Sequence, residues 1–276
     1  MIFHSHCPAF PLNNFIESIF YFEGIVPAHA LDRFLPDGNT EILIDLTDSP
    51  QYIHDNTTLE VIQSCRHAWV SGVRTRPITI PSGKDSRMMV VAFKKGAAHP
   101  FYPFPMSELT DSVVMADLIF GNSIRDLRER LLAARSFGEM FCLMELFLLN
   151  RGGDKLHDSS ASRCIEHVLN GILKQPTHFK FQNLIDHIGY SQKHFIDLFK
   201  KQVGVTPKQY LRIIRFQKAI VEMELNASSF DWSRLALQSG FYDQAHLIND
   251  FREFSGFTPG EYAKRKTDTL NYVPIM

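Results

Sequence analysis

The chain has 276 residues and 45% apolar content, which is enough to bury a good core, and we expect that core to be divided between two domains. Its formal charge of −1 gives no sign of a nucleic-acid partner in bulk, so only the distribution of charge is informative. The four cysteines are widely spaced and form no CxxC pair, which argues against disulfides and favours a reducing cytosol. The chain starts without a basic segment and has no apolar run of spanning length, which argues against export and membrane insertion.

The first 24 residues contain one apolar stretch, Phe15 to Phe22, which is interpreted as an edge strand of the following domain. His4, His6 and Cys7 are residue types that bind metals. No fourth ligand follows them at regular spacing, so no metal site is expected here.

Residues 31–95 are predicted to form strands. The partly alternating run 40–46 follows the turn residues 36–38, and further apolar runs lie at 68–73, 77–80 and 88–93. Many short strands between Gly/Pro turns indicate a small β-barrel or sandwich. The region lacks a His-x-His with a following glutamate, which disfavours metal-dependent catalysis.

A barrel of this kind can hold a small molecule in its mouth. Three arginines that could pair with an anionic ligand, a tryptophan and a histidine are the candidate lining residues: Arg33, Arg74, Arg76, Trp69 and His99. The alternative interpretation makes Arg74 and Arg76 solvated loop charges and His99 a turn residue.

Residues 107–150 are predicted to be helical. The run Phe137–Leu149 is apolar almost all round, so a helix here needs partners on more than one side. Packing on the barrel explains part of this, and the surplus suggests a homodimer interface. A polar break at 151–155 marks the predicted boundary between an amino-terminal domain, 1–152, and a carboxyl-terminal domain, 158–266.

A duplicated unit occupies residues 180–262. Six residues of the first copy recur 52 positions later: Phe199, Lys200, Gly204, Thr206, Pro207 and Tyr210 match Phe251, Arg252, Gly256, Thr258, Pro259 and Tyr262. Upstream, Leu184 and Gly189 match Leu235 and Gly240. Each copy is predicted to form a short helix, a glycine turn and a second helix, which is the helix-turn-helix pattern.

A single helix is predicted between the two copies, from the Thr206-Pro207 cap to Asn226. Its 20 residues would span roughly 30 Å, close to the roughly 34 Å of one turn of B-DNA. Residues 180–218 also carry 8 basic and 2 acidic side chains, a local charge of +6. This combination is typical of a surface that follows phosphates in successive major grooves.

The predicted base-reading residues lie on the outward face of the second helix of each unit: Gln192, Lys193, Ile196, Asp197, Gln244, Ala245, Ile248 and Asn249. Lys193 suits guanine, and Gln244 and Asn249 suit the donor-acceptor edge of adenine. The predicted phosphate contacts are Lys180, Lys200, Lys201, Arg212, Arg215 and Arg252.

The duplicated region resembles the DNA-binding domain of AraC-type bacterial transcription regulators. The most specific match covers Gly240–Leu247, Phe251-Arg252 and Gly256–Tyr262. The amino-terminal region is similar to the cupin-like sensor domain of one subgroup, through residues 35–38, 71–77, 93–101 and 108–111. The resemblance implies an α+β chain in which a cupin-like β-barrel or sandwich with helices precedes an all-α domain with two helix-turn-helix units.

The expected function is therefore that of a cytoplasmic transcription regulator that binds double-stranded DNA and responds to an unknown small-molecule effector. No cofactor, metal or catalytic residue is expected, and the resemblance implies RNA polymerase as a further partner. Two alternatives remain open: an enzyme or ligand-binding cupin, and a helical protein-interaction module. Against the enzyme, the sequence shows no nucleophile elbow, phosphate loop or metal-spaced histidines.

Overall fold

The computed structural model describes residues 1–156, 160–179, 191–225, 231–267 and 269–275, with the backbone alone at 160–162. The predicted α+β organisation is confirmed: two antiparallel sheets and three helices are followed by a helical region. The first helix of the first predicted helix-turn-helix unit, with Leu184 and Gly189, lies outside the described residues, as does Asn226.

Ten strands form before residue 116 and an eleventh close to the carboxyl end. They are β1 (Ile2–His6), β2 (Ile16–Glu23), β3 (Leu31–Phe34), β4 (Glu41–Asp45), β5 (Gln51–His54), β6 (Val61–Cys65), β7 (Ala68–Ser71), β8 (Ile78–Pro81), β9 (Arg87–Phe93), β10 (Val113–Met115) and β11 (Tyr272–Pro274). One sheet has the order β1-β2-β9-β4-β7-β10 and the other β11-β3-β8-β5-β6.

The six-stranded sheet forms the middle layer of the amino-terminal region. On one face, side chains such as Ile42, Ile44 and Val91 pack on the three helices α1 (Ala116–Phe120), α2 (Asn122–Ala133) and α3 (Phe137–Gly152). The residues between them, such as Leu43 and Val90, point to the five-stranded sheet on the other side. Strand alternation therefore gives this sheet two separate apolar faces.

The stretch Phe15 to Phe22 forms β2, but not as the edge strand expected from the sequence. It lies between β1 and β9, and Ile2–His6 forms the edge instead. The isolated apolar residues of β1 gave no strand signal because all but one of its five residues are exposed.

The carboxyl-terminal region contains six helices among its described residues: α4 (Ser160–Lys174), α5 (Gln192–Val203), α6 (Pro207–Leu225), α7 (Trp232–Ser239), α8 (Gln244–Ser255) and α9 (Pro259–Arg265). α6 is the predicted connecting helix. It is continuous over 19 residues, so it is about 28 Å long. Its buried side chains, including Tyr210, Ile213 and Ile220, recur at helical spacing along its full length.

The two regions share a hydrophobic core. Leu35 and Val73, in the loops after β3 and β7, and Val273 of β11 pack among the buried residues of α4–α9. Polar contacts join them as well: Thr110 Oγ1 donates to the Gly204 carbonyl at 2.7 Å, and Gln217 Nε2 donates to the Pro36 carbonyl at 2.7 Å. Within the described part of the chain, no helix combines the length and apolar character needed to cross a membrane.

Candidate nucleic-acid interface and ligand cavity

The second helix-turn-helix unit consists of α7, a turn at Gly240 and α8. The Asp231 side chain caps α7 and the Asp243 side chain caps α8, accepting from the His246 amide at 2.8 Å. Gly240 has φ +90°, and a Cβ there would lie 2.8 Å from Thr177 Cα. Glycine is therefore required at the turn for both its conformation and its close contact.

The first unit is described only from its second helix onward. Ser191 caps α5 by accepting from the His194 amide at 3.3 Å, as expected. Phe195 and Phe199 point into the core, and Val203 closes the buried face of the helix. This buried face fixes which side chains of α5 point outward.

The eight predicted base readers occupy the outer faces of α5 and α8. Six are exposed, namely Gln192, Lys193, Asp197, Gln244, Ala245 and Asn249, whereas Ile196 and Ile248 are half-buried. His246, which follows two of them, turns inward: its Nδ1 accepts from the Tyr242 amide at 3.3 Å, and its ring packs edge-on against Phe241.

The predicted phosphate contacts differ in whether their side chains already have partners within the protein. Arg212 Nη2 lies 2.8 Å from Asp250 Oδ1 and 2.6 Å from Glu253 Oε2, and these two acids raise its pKa. Arg215 Nε donates to the Pro176 carbonyl at 3.0 Å. Both arginines thus hold elements of the domain together in this structure.

Lys200, Lys201 and Arg252 are exposed, and none of their side chains forms a hydrogen bond or ion pair with another described residue. Lys201 nevertheless lies close enough to His99 for its charge to lower the pKa of that imidazole. Of the predicted phosphate contacts, Lys200 and Arg252 are therefore exposed without such a charge interaction with His99, and Lys180 lies outside the described residues.

A cavity of about 600 Å³ lies between the two sheets. Trp69 lines it, as the sequence suggested, together with aromatic side chains from both sheets. Thr267, Thr269 and Tyr272 also line it, and these residues come after the last helix of the carboxyl-terminal region. These three lining residues were not predicted from the sequence, because the pairing of β11 with β3 joins segments about 240 residues apart.

The other four predicted pocket residues lie elsewhere, which corrects the expectation of an arginine-lined pocket. Arg33 sits between Asp32 and Phe34, which line the cavity, so strand alternation points it the opposite way. Its guanidinium lies 5.1 Å from the Phe257 ring centroid, and a Cβ on Gly256 would lie 2.6 Å from its Nη1. Arg33 thus contacts the end of α8.

The remaining three are likewise outside the cavity between the sheets. Arg74 is buried, and burial lowers the pKa of its guanidinium, whereas the nearby charge of Asp111 acts to raise it. Arg76 is exposed. His99 lines a separate depression between the sheets and α4, where burial, then Lys155 and Lys201, lower the pKa of its imidazole.

Two carboxyl groups reach the cavity. Asp32 lies 2.8 Å from Nε2 of His29, which also lines the cavity. Burial, reinforced by the charge of Asp37 and opposed by Lys95, raises the pKa of Glu41 to about 8. Among the described residues, no cluster of three or more His, Cys, Asp or Glu side chains could hold a metal ion.

Comparison with known proteins assigns both regions. A family described as a helix-turn-helix domain matches residues 184–265, and a domain of unknown function, DUF6597, matches residues 4–115. An uncharacterized HTH-type transcriptional regulator of Haemophilus influenzae is 27% identical over 97 residues, which is 35% of this chain and 32% of that protein. Residues 184–265 are thus an AraC-type helix-turn-helix domain.

The chain also resembles the transposon Tn10 TetD protein of Escherichia coli, with 35% identity over 78 residues, or 28% of this chain and 55% of TetD. It thus spans about a third of the Haemophilus relative and about half of TetD. A crystal structure of ToxT from Vibrio cholerae aligns with a TM-score of 0.46 and 13% identity, covering 90% of this chain and 98% of ToxT.

Proposed function

We propose that this AraC-type chain is a transcription regulator that binds specific double-stranded DNA through α5 and α8. The observation that carries the proposal is the pair of capped helices with exposed polar faces, joined by the continuous helix α6. The length of α6, about 28 Å, lies near the roughly 34 Å turn of B-DNA, so both helices can enter successive major grooves of one duplex.

This proposal includes two kinds of contact, one to phosphates and one to bases. Lys200 and Arg252 neutralise phosphates, which gives affinity and register without sequence information. The amide groups of Gln244 and Asn249 read adenine, and Lys193 reads guanine. Such a protein acts where the chromosome is, in the bacterial cytoplasm, and RNA polymerase is the partner through which it would change transcription.

We propose that a small molecule in the cavity between the sheets regulates DNA binding. Support comes from the walls of the cavity, because β3 and β11 contribute to it on one face and contact the carboxyl-terminal region on the other. A ligand that shifts these strands would shift the end of α8 through Arg33. Regulation of this kind requires only that the ligand binds, without any chemical change in it.

The same chain has an exposed apolar surface on α3 that fits a homodimer. Leu146 and Leu149 of this helix are 47% and 37% exposed. Sedimentation velocity should detect a dimer that Leu146→Glu dissociates. A monomeric wild-type chain would remove this part of the proposal.

Fluorescence anisotropy with the duplex upstream of the chain's own gene tests DNA binding. We expect tight binding that survives an excess of scrambled duplex of equal length and composition, and that weakens as salt concentration rises. Equal affinity for the two duplexes would contradict sequence-specific binding, and no binding to either would contradict DNA binding altogether.

A further inference from the structure

Seven aromatic side chains line the cavity between the sheets, among aliphatic ones. Phe20 and Phe22 stack with centroids 6.3 Å apart, Phe34 lies 5.0 Å from Tyr272, and Trp69 completes the set from β7. Aromatic faces carry a negative quadrupole, so a cluster of them attracts an organic cation as well as an apolar body.

Two carboxyl groups, those of Glu41 and Asp32, line the cavity. The carboxyl of Glu41 forms no hydrogen bond or ion pair with any described residue, and the carboxyl of Asp32, on the facing sheet, pairs with His29. None of the described lining residues is a lysine or an arginine. An anionic ligand would therefore find no lysine or arginine to replace its hydration, whereas a cation would gain two carboxyl groups and would itself favour their ionised form.

We propose that the ligand of this cavity is an amphipathic organic cation, an amine or quaternary ammonium on an apolar or aromatic body. Glu41 and Asp32 hold the positive charge, and the rings from both sheets enclose the apolar body. The volume of about 600 Å³ matches a molecule of drug size. This inference rests on the proposed regulation by a small molecule and names its chemical class.

The position of the acidic groups links the ligand to the DNA-binding region. Asp32 lies on β3 next to Arg33, whose guanidinium contacts the Phe257 ring just after α8. Tyr272, on the neighbouring strand β11, faces the same cavity. A cation held by Asp32 would therefore lie against β3 and β11, the two strands that contact the carboxyl-terminal region.

Matched ion pairs of equal shape and opposite charge test the proposal on the full chain. Isothermal titration calorimetry would compare tetraphenylphosphonium with tetraphenylborate, and octyltrimethylammonium with octanesulfonate. We expect at least one cation to bind at least tenfold more tightly than its anion. If neither cation exceeds its matched anion, the proposal is overturned, and this comparison needs no variant.

Variants then assign the charge contact. Glu41→Gln and Asp32→Asn should each weaken binding of the preferred cation severalfold, whereas Glu60→Gln, an exposed acid outside the cavity, should leave it unchanged. Circular dichroism confirms that each variant is folded. Unchanged binding in both folded cavity variants would overturn the role given to these carboxyls.

The outcome is distinguishable from failure of the regulator proposal. Anisotropy with the upstream duplex is measured on the same preparation, with and without the cation. DNA binding without cation preference would overturn the ligand class alone. Cation binding that leaves DNA affinity unchanged would overturn the regulatory role and keep the ligand class.

Discussion

Asn249 lies on the exposed face of α8, where its amide can donate to and accept from an adenine edge. We expect Asn249→Ala to weaken binding to the upstream duplex by about 1–3 kcal/mol and to leave binding to the scrambled duplex nearly intact. Anisotropy titrations at one salt concentration measure both. Gln238→Ala, an exposed amide on α7, is the matched control and should change neither; equal losses on both duplexes would remove Asn249 from the base readers.

Glu41 should make stability depend on pH. Burial raises the pKa of Glu41 from an ordinary 4.5 to about 8; the charge of Asp37 adds to this shift, and the charge of Lys95 opposes it. The charge of Glu41 in turn helps to raise the pKa of Tyr272. The folded state holds the proton more tightly than the unfolded chain, so this contribution is full below about pH 4.5 and is lost as pH rises through about 8.

We therefore expect Glu41→Gln to gain free energy of unfolding relative to the wild type on going from pH 5 to pH 9. Urea denaturation at the two pH values measures this, with Glu60→Gln as the control. A difference between variant and wild type that is the same at both values would mean that Glu41 ionises in its ordinary range.

Local spacing predicted the exposed faces of α5 and α8 because helix geometry fixes them once the buried phenylalanines are known. It could not place Arg33, because the ring that Arg33 contacts, Phe257, lies more than 220 residues later in the chain. Local spacing likewise predicted Arg212 as a phosphate contact, although in the structure this arginine forms ion pairs with two acidic residues of α8. Residue type and spacing describe a helix face, but not what a distant segment places against it.

At the scale of elements, Arg212 joins α6 to α8. Arg212→Ala would leave the buried Asp250 with only the more distant His246, at 3.7 Å, so we expect the free energy of unfolding to fall by roughly 1–3 kcal/mol. Urea denaturation measures the loss. Arg252→Ala removes an exposed arginine of α8 that has no such pair and should leave stability nearly unchanged; similar losses in the two variants would mean that the ion pairs do not hold α8.

The sequence predicted the elements whose pattern is long and regular. α6 and the strands β4, β7, β8 and β9 were expected within a few residues of their bounds. β5 and β6 were missed because they are short and each has a single buried residue, which leaves no apolar alternation to detect. β11 was missed because only three residues pair, and they pair with a strand from the other end of the chain.

The whole molecule is held together by the core that both regions share. Because Leu35 is fully buried among residues of α4–α9, we expect unfolding of the chain as one cooperative transition instead of two. Scanning calorimetry should show one peak.

Leu35→Ala should lower the stability of that single transition by roughly 2–5 kcal/mol, since it leaves a cavity at the junction. Leu46→Ala, in the core between sheet and helices, is the matched control and should shift the same peak. Two separate peaks, or a Leu35→Ala effect confined to one of them, would show that the regions unfold independently.

The pairing of β11 with β3 also has a consequence for synthesis. Until the ribosome has released residues 272–274, β3 keeps one unpaired edge and the apolar cavity lacks one of its walls. The amino-terminal sheets are therefore completed only after the DNA-binding helices have been made. A message cut short before codon 272 would yield a product with an open strand edge, which is a template for aggregation and a target for proteolysis.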